Sequence, residues 1–287
     1  SFNIAWDATD DLVIRGAIAK VISRPDYSDL GAQQRITYVS GEWAEDRAAF
    51  NELPGFSGSG GNKNLKPFES VQADLSIEYY YGEGSAVGLA LFHKKVDNFV
   101  VPLVIDVEQN FAGKNNIVDA GTINIAPYST VGNGTDAVSK GAEVFIQHAF
   151  DSGFGFYANY TYNKTNKADV TINGEEFGQS ALIGSAKYQY NTSVYYEGGY
   201  FNVRASYNKR GETVLGLNSG LNVYQDPYEQ IDVNASVNLY DGLSLNAAVI
   251  NLTKSESVMR LGNDTDARLL NTSYSGRRFY AGFNYSF

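Results

Sequence analysis

The strongest constraint on this chain is an alternation of apolar and polar side chains at every second residue, repeated from end to end. QIDVNASVNL is its clearest instance. Ile231, Val233, Ala235, Val237 and Leu239 fall on one side, and Gln230, Asp232, Asn234, Ser236 and Asn238 on the other. Successive side chains of a strand point to opposite faces, so such a segment is a strand with one apolar and one polar surface. The same period runs through SFNIAWDAT, VQADLSIEYYY, FGFYANYTYN, AKYQYNTSVYY, FNVRASYN and GRRFYAGFNYSF. Eleven strands are expected, near 1–9, 12–23, 69–81, 86–98, 138–150, 154–166, 185–197, 200–210, 227–239, 243–252 and 276–287. LVIRGAIAKVIS, the second, alternates least well.

The connections take turns in length. Asp10-Asp11, Gly82-Glu83-Gly84, Asp151-Ser152-Gly153, Glu197-Gly198-Gly199 and Asp241-Gly242 are hairpin turns, where Gly and Asp accept the required backbone angles. The others are long, near 24–68, 99–137, 167–184, 211–226 and 253–275. A soluble sandwich has no reason to keep its short turns at one end, and its polar faces carry Lys and Glu. Here the polar face is mostly Asn, Ser, Gln and Asp, and Tyr, Phe and Trp gather near strand ends on the apolar face. That combination predicts an all-β fold, a transmembrane antiparallel β-barrel with a polar lumen and aromatic girdles. Closure satisfies every backbone polar group within lipid. No run of about 18 apolar residues is present to form a spanning helix.

Composition removes several function classes. There is no cysteine, and hence no disulfide or thiolate metal site. The net charge of −10 argues against nucleic acid, whose phosphates need Lys and Arg. His93 and His148 fall in the apolar phase of their strands and read as interfacial side chains rather than as bases or ligands. No catalytic residue, metal or cofactor is expected, and no enzyme activity. Asn-x-Ser/Thr triplets follow from the polar alternation.

Several segments resemble the TonB-dependent outer-membrane receptors. They are ISRPDYSDL at 22–30; GNKNLKPFES at 61–70, with Lys63 where the family usually has Pro; FHKKVDNFV at 92–100; KGAEVFIQHAF at 140–150; VINLTKSE at 249–256; and the terminal aromatic strand. The resemblance covers essentially the whole chain and is to the carboxy-terminal half of the barrel. The Arg-Pro and Leu-Lys-Pro pieces are similar to a proteobacterial subgroup tied to carbohydrate uptake. The resemblance implies the last eleven strands of a 22-stranded barrel in the bacterial cell outer membrane, with the plug domain absent from this chain. It implies active nutrient uptake. The partners implied are outer-membrane lipid and lipopolysaccharide, the remaining barrel half and plug, the TonB-ExbB-ExbD complex, and a small-molecule or oligosaccharide substrate. Ser1 opens within a strand that lacks its upstream neighbour, so a proteolytic fragment, a partial chain or a split receptor is expected. Phe287 is expected at the periplasmic rim, where an aromatic terminus resembles the signal read by the assembly machinery.

Substrate contacts are expected in the long connections. Trp43, Phe50 and Phe56, among Arg47 and several carboxylates in 41–58, suit sugar rings, because π faces stack on C–H faces while polar groups bond hydroxyls. The same residues also suit packing of the loop itself. Tyr128, Tyr224, Gln225, Asp226 and Tyr228 form a second candidate group. Asp74, Glu78, Arg204, Asp232, Asn234 and Asn238 are expected in the lumen, toward substrate or plug. The acidic balance favours an oligosaccharide over an anionic iron chelate; a siderophore or cobalamin receptor and a passive porin-type channel are the alternatives.

Overall fold

A computed structural model describes residues 1–38, 56–110, 122–240, 242–262 and 267–285. In chain order its elements are β1 Phe2–Asp7, β2 Leu12–Ser23, the single-turn α1 Tyr27–Leu30, β3 Gln34–Tyr38, β4 Phe56–Gly60, β5 Phe68–Gly82, β6 Ser85–Asp97 and β7 Phe99–Asn110. Next come β8 Thr122–Gly134, β9 Ala137–Ala149, β10 Phe154–Thr165, β11 Ala168–Ile172, β12 Glu175–Ser180, β13 Tyr188–Glu197 and β14 Phe201–Arg210. The last are β15 Thr213–Asn218, β16 Leu221–Gln225, β17 Tyr228–Tyr240, β18 Leu243–Ile250, β19 Glu256–Leu261, β20 Arg268–Tyr274 and β21 Arg278–Tyr285.

Eleven strands form one sheet in the order β1-β2-β5-β6-β9-β10-β13-β14-β17-β18-β21. Each neighbouring pair is antiparallel, including β2, which pairs with β5 over its full length despite its weak alternation. These are the strands expected from the alternation, each end within three residues of its expected position. The register carries one face across the sheet. Arg15, Ser76, Ala90, Glu143, Thr161, Gln189, Arg210 and Tyr228 are successive cross-strand partners. One residue along, Leu75, Leu91, Ala142, Tyr162 and Tyr188 occupy the opposite face. The polar face is concave: Asp74, Ser76, Glu78, Glu143, Asn159 and Asn191 line a hollow of about 710 Å³. On the convex face Ile4, Trp6, Leu75, Leu91, Val194, Phe279 and Phe283 are exposed, as a lipid-facing surface requires.

Aromatic clusters border that apolar face. At the short-turn rim, His148 stacks on Tyr81 (5.7 Å) and meets Phe150 edge-on (4.3 Å), with its Nδ1 3.2 Å from the Tyr81 hydroxyl. At the other rim, Tyr190 meets Tyr188 and Tyr207 at 6.3 and 5.7 Å. His148 thus occupies a tyrosine-like girdle position.

The long connections differ from the loops expected for them, being strands themselves. They join in a second sheet, β12-β11-β8-β7-β15-β16-β19-β20, with β4 pairing with β8 and β3 with β4. The β6–β9 hairpin runs on into β7–β8 across corners at Asn98 (φ 57°) and Asp136 (φ 56°), a left-handed backbone that Asn and Asp tolerate best among residues with a Cβ. Asn133 holds one corner, its Nδ2 donating to the carbonyls of Asn98 (2.9 Å) and Lys66 (3.3 Å) while its Oδ1 accepts from the Lys66 amide (2.9 Å). The buried apolar cluster lies mostly in this cap, around Phe99, Val101, Leu103, Val170 and Leu217, and reaches the wall at Val96 and Ala137, the cap-side ends of β6 and β9. Wall side chains face lipid or lumen, so only the cap has two faces to bury.

Candidate functional site: the lumenal cavity beneath the cap

Arg210 is the last residue of β14, opposite Gln189 on β13 and Tyr228 on β17, all on the concave face. Its Nη2 donates to Gln225 Oε1 on β16, and Gln225 Nε2 donates to Ser257 Oγ on β19 at 2.7 Å. Wall and cap meet through these contacts. The cavity at the junction is about 510 Å³ and is lined by Gln189, Asn191, Asn208, Arg210, Gln225 and Tyr228, with four serines from the 255–275 connection. Among the described residues no carboxylate lines it. Arg210 Nε is shut off from solvent and has no hydrogen-bond partner among the described residues.

The floor is fixed by a carboxamide ladder. Asn191 Nδ2 donates to Asn159 Oδ1 (2.8 Å), and Asn159 Nδ2 donates to the Tyr157 hydroxyl (2.7 Å). The Tyr228 hydroxyl donates to Gln230 Oε1 (2.8 Å), and Gln230 Nε2 donates to the Asp232 carboxylate (2.7 Å). Further round the arc the surface turns acidic, with Asp74, Glu78 and Glu143 around the larger hollow. The lumen is therefore graded, cationic under the cap at β14 and acidic across β5 to β9.

The candidate residues scatter. Trp43, Arg47 and Phe50 lie outside the described residues. Phe56 packs against Tyr38 at 5.3 Å within the β3–β4 hairpin. Tyr128 is 5% exposed and lies beneath Gly58 and Gly60, with β7 and β15 between its strand and that of Tyr224. Three strand spacings, about 14 Å, separate them, so the second group does not assemble around Tyr128. Tyr224 lines a neighbouring hollow with Asn163, Lys187 and Glu212. Asp226 is engaged by Arg260, which also pairs with Glu212 at 3.3 Å. Tyr228 alone of the group reaches the cavity with Gln225.

The expected lumenal residues all lie on the concave face, several committed to the wall. Glu78 pairs with Arg15 and accepts from the Tyr80 hydroxyl (2.6 Å). Arg204 lies over the Tyr195 ring (4.9 Å) beside Glu197 (3.3 Å). Asp232 accepts the Asn251 amide (2.9 Å), and Asn238 Nδ2 donates to the Gly199 carbonyl (3.2 Å). Asp74 and Asn234 are exposed. Arg210, Gln189, Asn191, Asn208 and Ser257 were absent from the expected site. Their polar phase next to long connections marks them as lumenal, but their convergence depends on pairings remote in sequence.

An antiparallel arc with an apolar, aromatic-edged outer face, a polar concave face and a structured cap on one side is the wall of a large outer-membrane β-barrel. The chain belongs to the TonB dependent receptor-like β-barrel family, whose model matches residues 1–252. An iron-regulated outer membrane virulence protein of Vibrio cholerae is 25% identical over 231 residues, 79% of this chain. The chain spans 32% of that relative's length. Among solved structures, a mutant ferric enterobactin receptor from Pseudomonas aeruginosa in complex with enterobactin matches with a TM-score of 0.65 at 20% identity, over 99% of this chain and 40% of its own. The siderophore receptor PirA from Acinetobacter baumannii matches with a TM-score of 0.62 at 19% identity, over 99% of this chain and 40% of its own. These names lend no support to the subgroup tied to carbohydrate uptake.

Proposed function

We propose that the chain forms part of a TonB-dependent transporter that takes up a ferric siderophore. The observation that carries this reading is the cavity under the cap, whose described lining offers a guanidinium, carboxamides and hydroxyls, with no carboxylate among the described residues. An anionic, oxygen-rich chelate offers the acceptors that such donors need. The net charge of −10 argued the other way, but the charge that matters is local: Asp74, Glu78 and Glu143 line a separate hollow, and the acids beside the cavity are engaged, Asp232 by Gln230 and Asn251, Asp226 by Arg260 and Glu229 by Lys209. The names of the relatives support the same class. Of the two groups behind the oligosaccharide reading, the first has Phe56 packed within its own hairpin and the second has Tyr128 buried. Energy would come from the TonB-ExbB-ExbD complex acting on a plug.

Uptake of radiolabelled ferric siderophores by cells expressing the full-length receptor tests the proposal. Arg210→Gln should weaken ferric-chelate binding at least 10-fold, equivalent to about 1.4 kcal/mol, with outer-membrane levels unchanged. Growth on oligosaccharides that requires the receptor, with no iron-repressed expression, would restore the sugar reading. Uptake indifferent to TonB would point to a passive channel.

A further inference from the structure

Two acids stand close behind the cavity under the cap. The antiparallel pairing of Thr213 with Gln225 sets Glu212, the residue before β15, beside Asp226, the residue after β16. Glu212 is two residues from Arg210, and Asp226 adjoins Gln225, with Cα atoms about 3.8 Å apart. Arg210 and Gln225 both line the cavity. Along β16 the faces alternate. Gln225 turns to the cavity, while Tyr224 turns to the neighbouring hollow of about 430 Å³, which Glu212 also lines. Like charges set side by side on neighbouring strands repel. A third side chain joins these two.

Arg260 lies opposite Tyr224 on β19, on the far face of β16 from the cavity. Its Nε donates to Asp226 Oδ1, and its Nη2 donates to Glu212 Oε2 at 3.3 Å. The three side chains are 27–36% exposed, so water and salt screen their charges less than those of a surface pair. Glu212 pairs with Arg260 although Lys164, Lys167 and Lys187 line the same hollow. Lys209, a second cation in the cavity lining, is paired with Glu229 at 3.0 Å. Arg210, bonded there to the neutral Gln225, is left to give the cavity its charge.

We infer that Arg260 determines the specificity of the cavity without touching what binds there. By neutralising Asp226 and Glu212 on the far side of β16, it keeps the field of Arg210 attractive to anions. Charges act on each other more strongly across a partly buried strand than through bulk water. Without Arg260, two uncompensated carboxylates would stand within two residues of the guanidinium and carboxamide that line the cavity, and its preference would turn away from anions. The inference rests on the proposal that the cavity takes an anionic substrate, and it assigns to that site the residue behind its choice of sign.

The test reads the field of the cavity directly. This chain has no cysteine, so Ser273→Cys sets its one thiol on an exposed residue of the cavity lining. In the full-length receptor in detergent, that thiol is reacted with two methanethiosulfonates of matched size, one bearing a sulfonate and the other an ammonium, and the rates of the parent receptor are subtracted. Ionisation of the thiol cancels in the ratio of the two rates. Arg260→Gln should lower the anion-to-cation ratio at least 5-fold, and Arg260→Lys should retain it. Asp226→Asn with Glu212→Gln should bring the Arg260→Gln ratio back within 2-fold, and should raise the ratio when Arg260 is present. Affinity for ferric enterobactin should fall and recover in step. Heat-modifiable gel mobility checks folding. An Arg260 that only braces the cap would change both rates together; an unmoved ratio overturns the inference, as does failure of the carboxylate replacements to restore it. A ratio that responds in a receptor whose wild type binds no ferric chelate sinks the siderophore proposal and leaves the charge role of Arg260 standing.

Discussion

Asn251 is fully buried, with φ at 57°, where the chain leaves β18 for the cap. Its amide donates to Asp232 Oδ1 (2.9 Å), its Oδ1 accepts the Ser255 amide (2.8 Å), and its Nδ2 donates to the carbonyls of Ser255 (3.1 Å) and Gly276 (3.2 Å). One side chain thus ties the wall to both ends of the last long connection. Asn251→Gly keeps the left-handed backbone and removes the side-chain bonds; Asn251→Ala loses the bonds and adds backbone strain. Unsatisfied buried groups cost about 1–3 kcal/mol each, so Asn251→Ala is expected to destabilise by about 2–4 kcal/mol and Asn251→Gly by less. Urea titration of the full-length receptor in detergent micelles checks the order. The sequence placed Asn251 in a segment resembling family strand ends and Asp232 in the lumen. It did not show that Asp232 is held by the wall, because a bond to a residue 19 positions away leaves no periodic trace.

Among the elements, the wall was legible and the cap was not. Lipid on one side and lumen on the other impose a strict period of two, and short turns keep consecutive strands adjacent, so β13, β14 and β17 could be read from their residues. The cap strands answer to other rules. β7 begins with the apolar run Phe99-Val100-Val101-Pro102-Leu103, in which Phe99, Val101 and Leu103 are buried while Pro102 is exposed, so its one-sided burial leaves no alternation to read. Its parallel partner β15 is about a hundred residues away in the chain, as is typical of pairings that pattern alone cannot supply. β4 likewise lies parallel to β8, and glycine makes that approach feasible: a Cβ on Gly58 would stand 2.8 Å from Tyr128 Cδ2 and 3.0 Å from Ile125 Cγ2. Gly58→Val is therefore expected to lift β4 from the cap. Limited proteolysis of whole cells should then cut near this hairpin at least several-fold faster, while heat-modifiable mobility, which reports the wall, stays normal. Gly199→Ala, at a turn where a Cβ meets nothing within 4 Å, should change neither.

At the scale of the whole molecule, the two faces of one strand should respond oppositely to the same substitution. Ile77 on β5 is outward, paired with Ile14 and Leu89, and has Leu75 and Tyr79 as same-face neighbours along the strand. Ser76, next to it in sequence, is inward beside Arg15 and Ala90 and lines the acidic hollow with Glu78 and Glu143. An arginine at position 77 would enter the apolar band near its middle, where a cation costs about 2–4 kcal/mol in a transmembrane barrel. An arginine at position 76 would meet water and carboxylates and should cost under about 1 kcal/mol, as surface changes do. Folding of the full-length receptor into lipid vesicles, titrated with urea, measures both. A similar loss from Ser76→Arg and Ile77→Arg would contradict the assignment of lipid and lumen faces, and with it the cavity, which is placed by that same register.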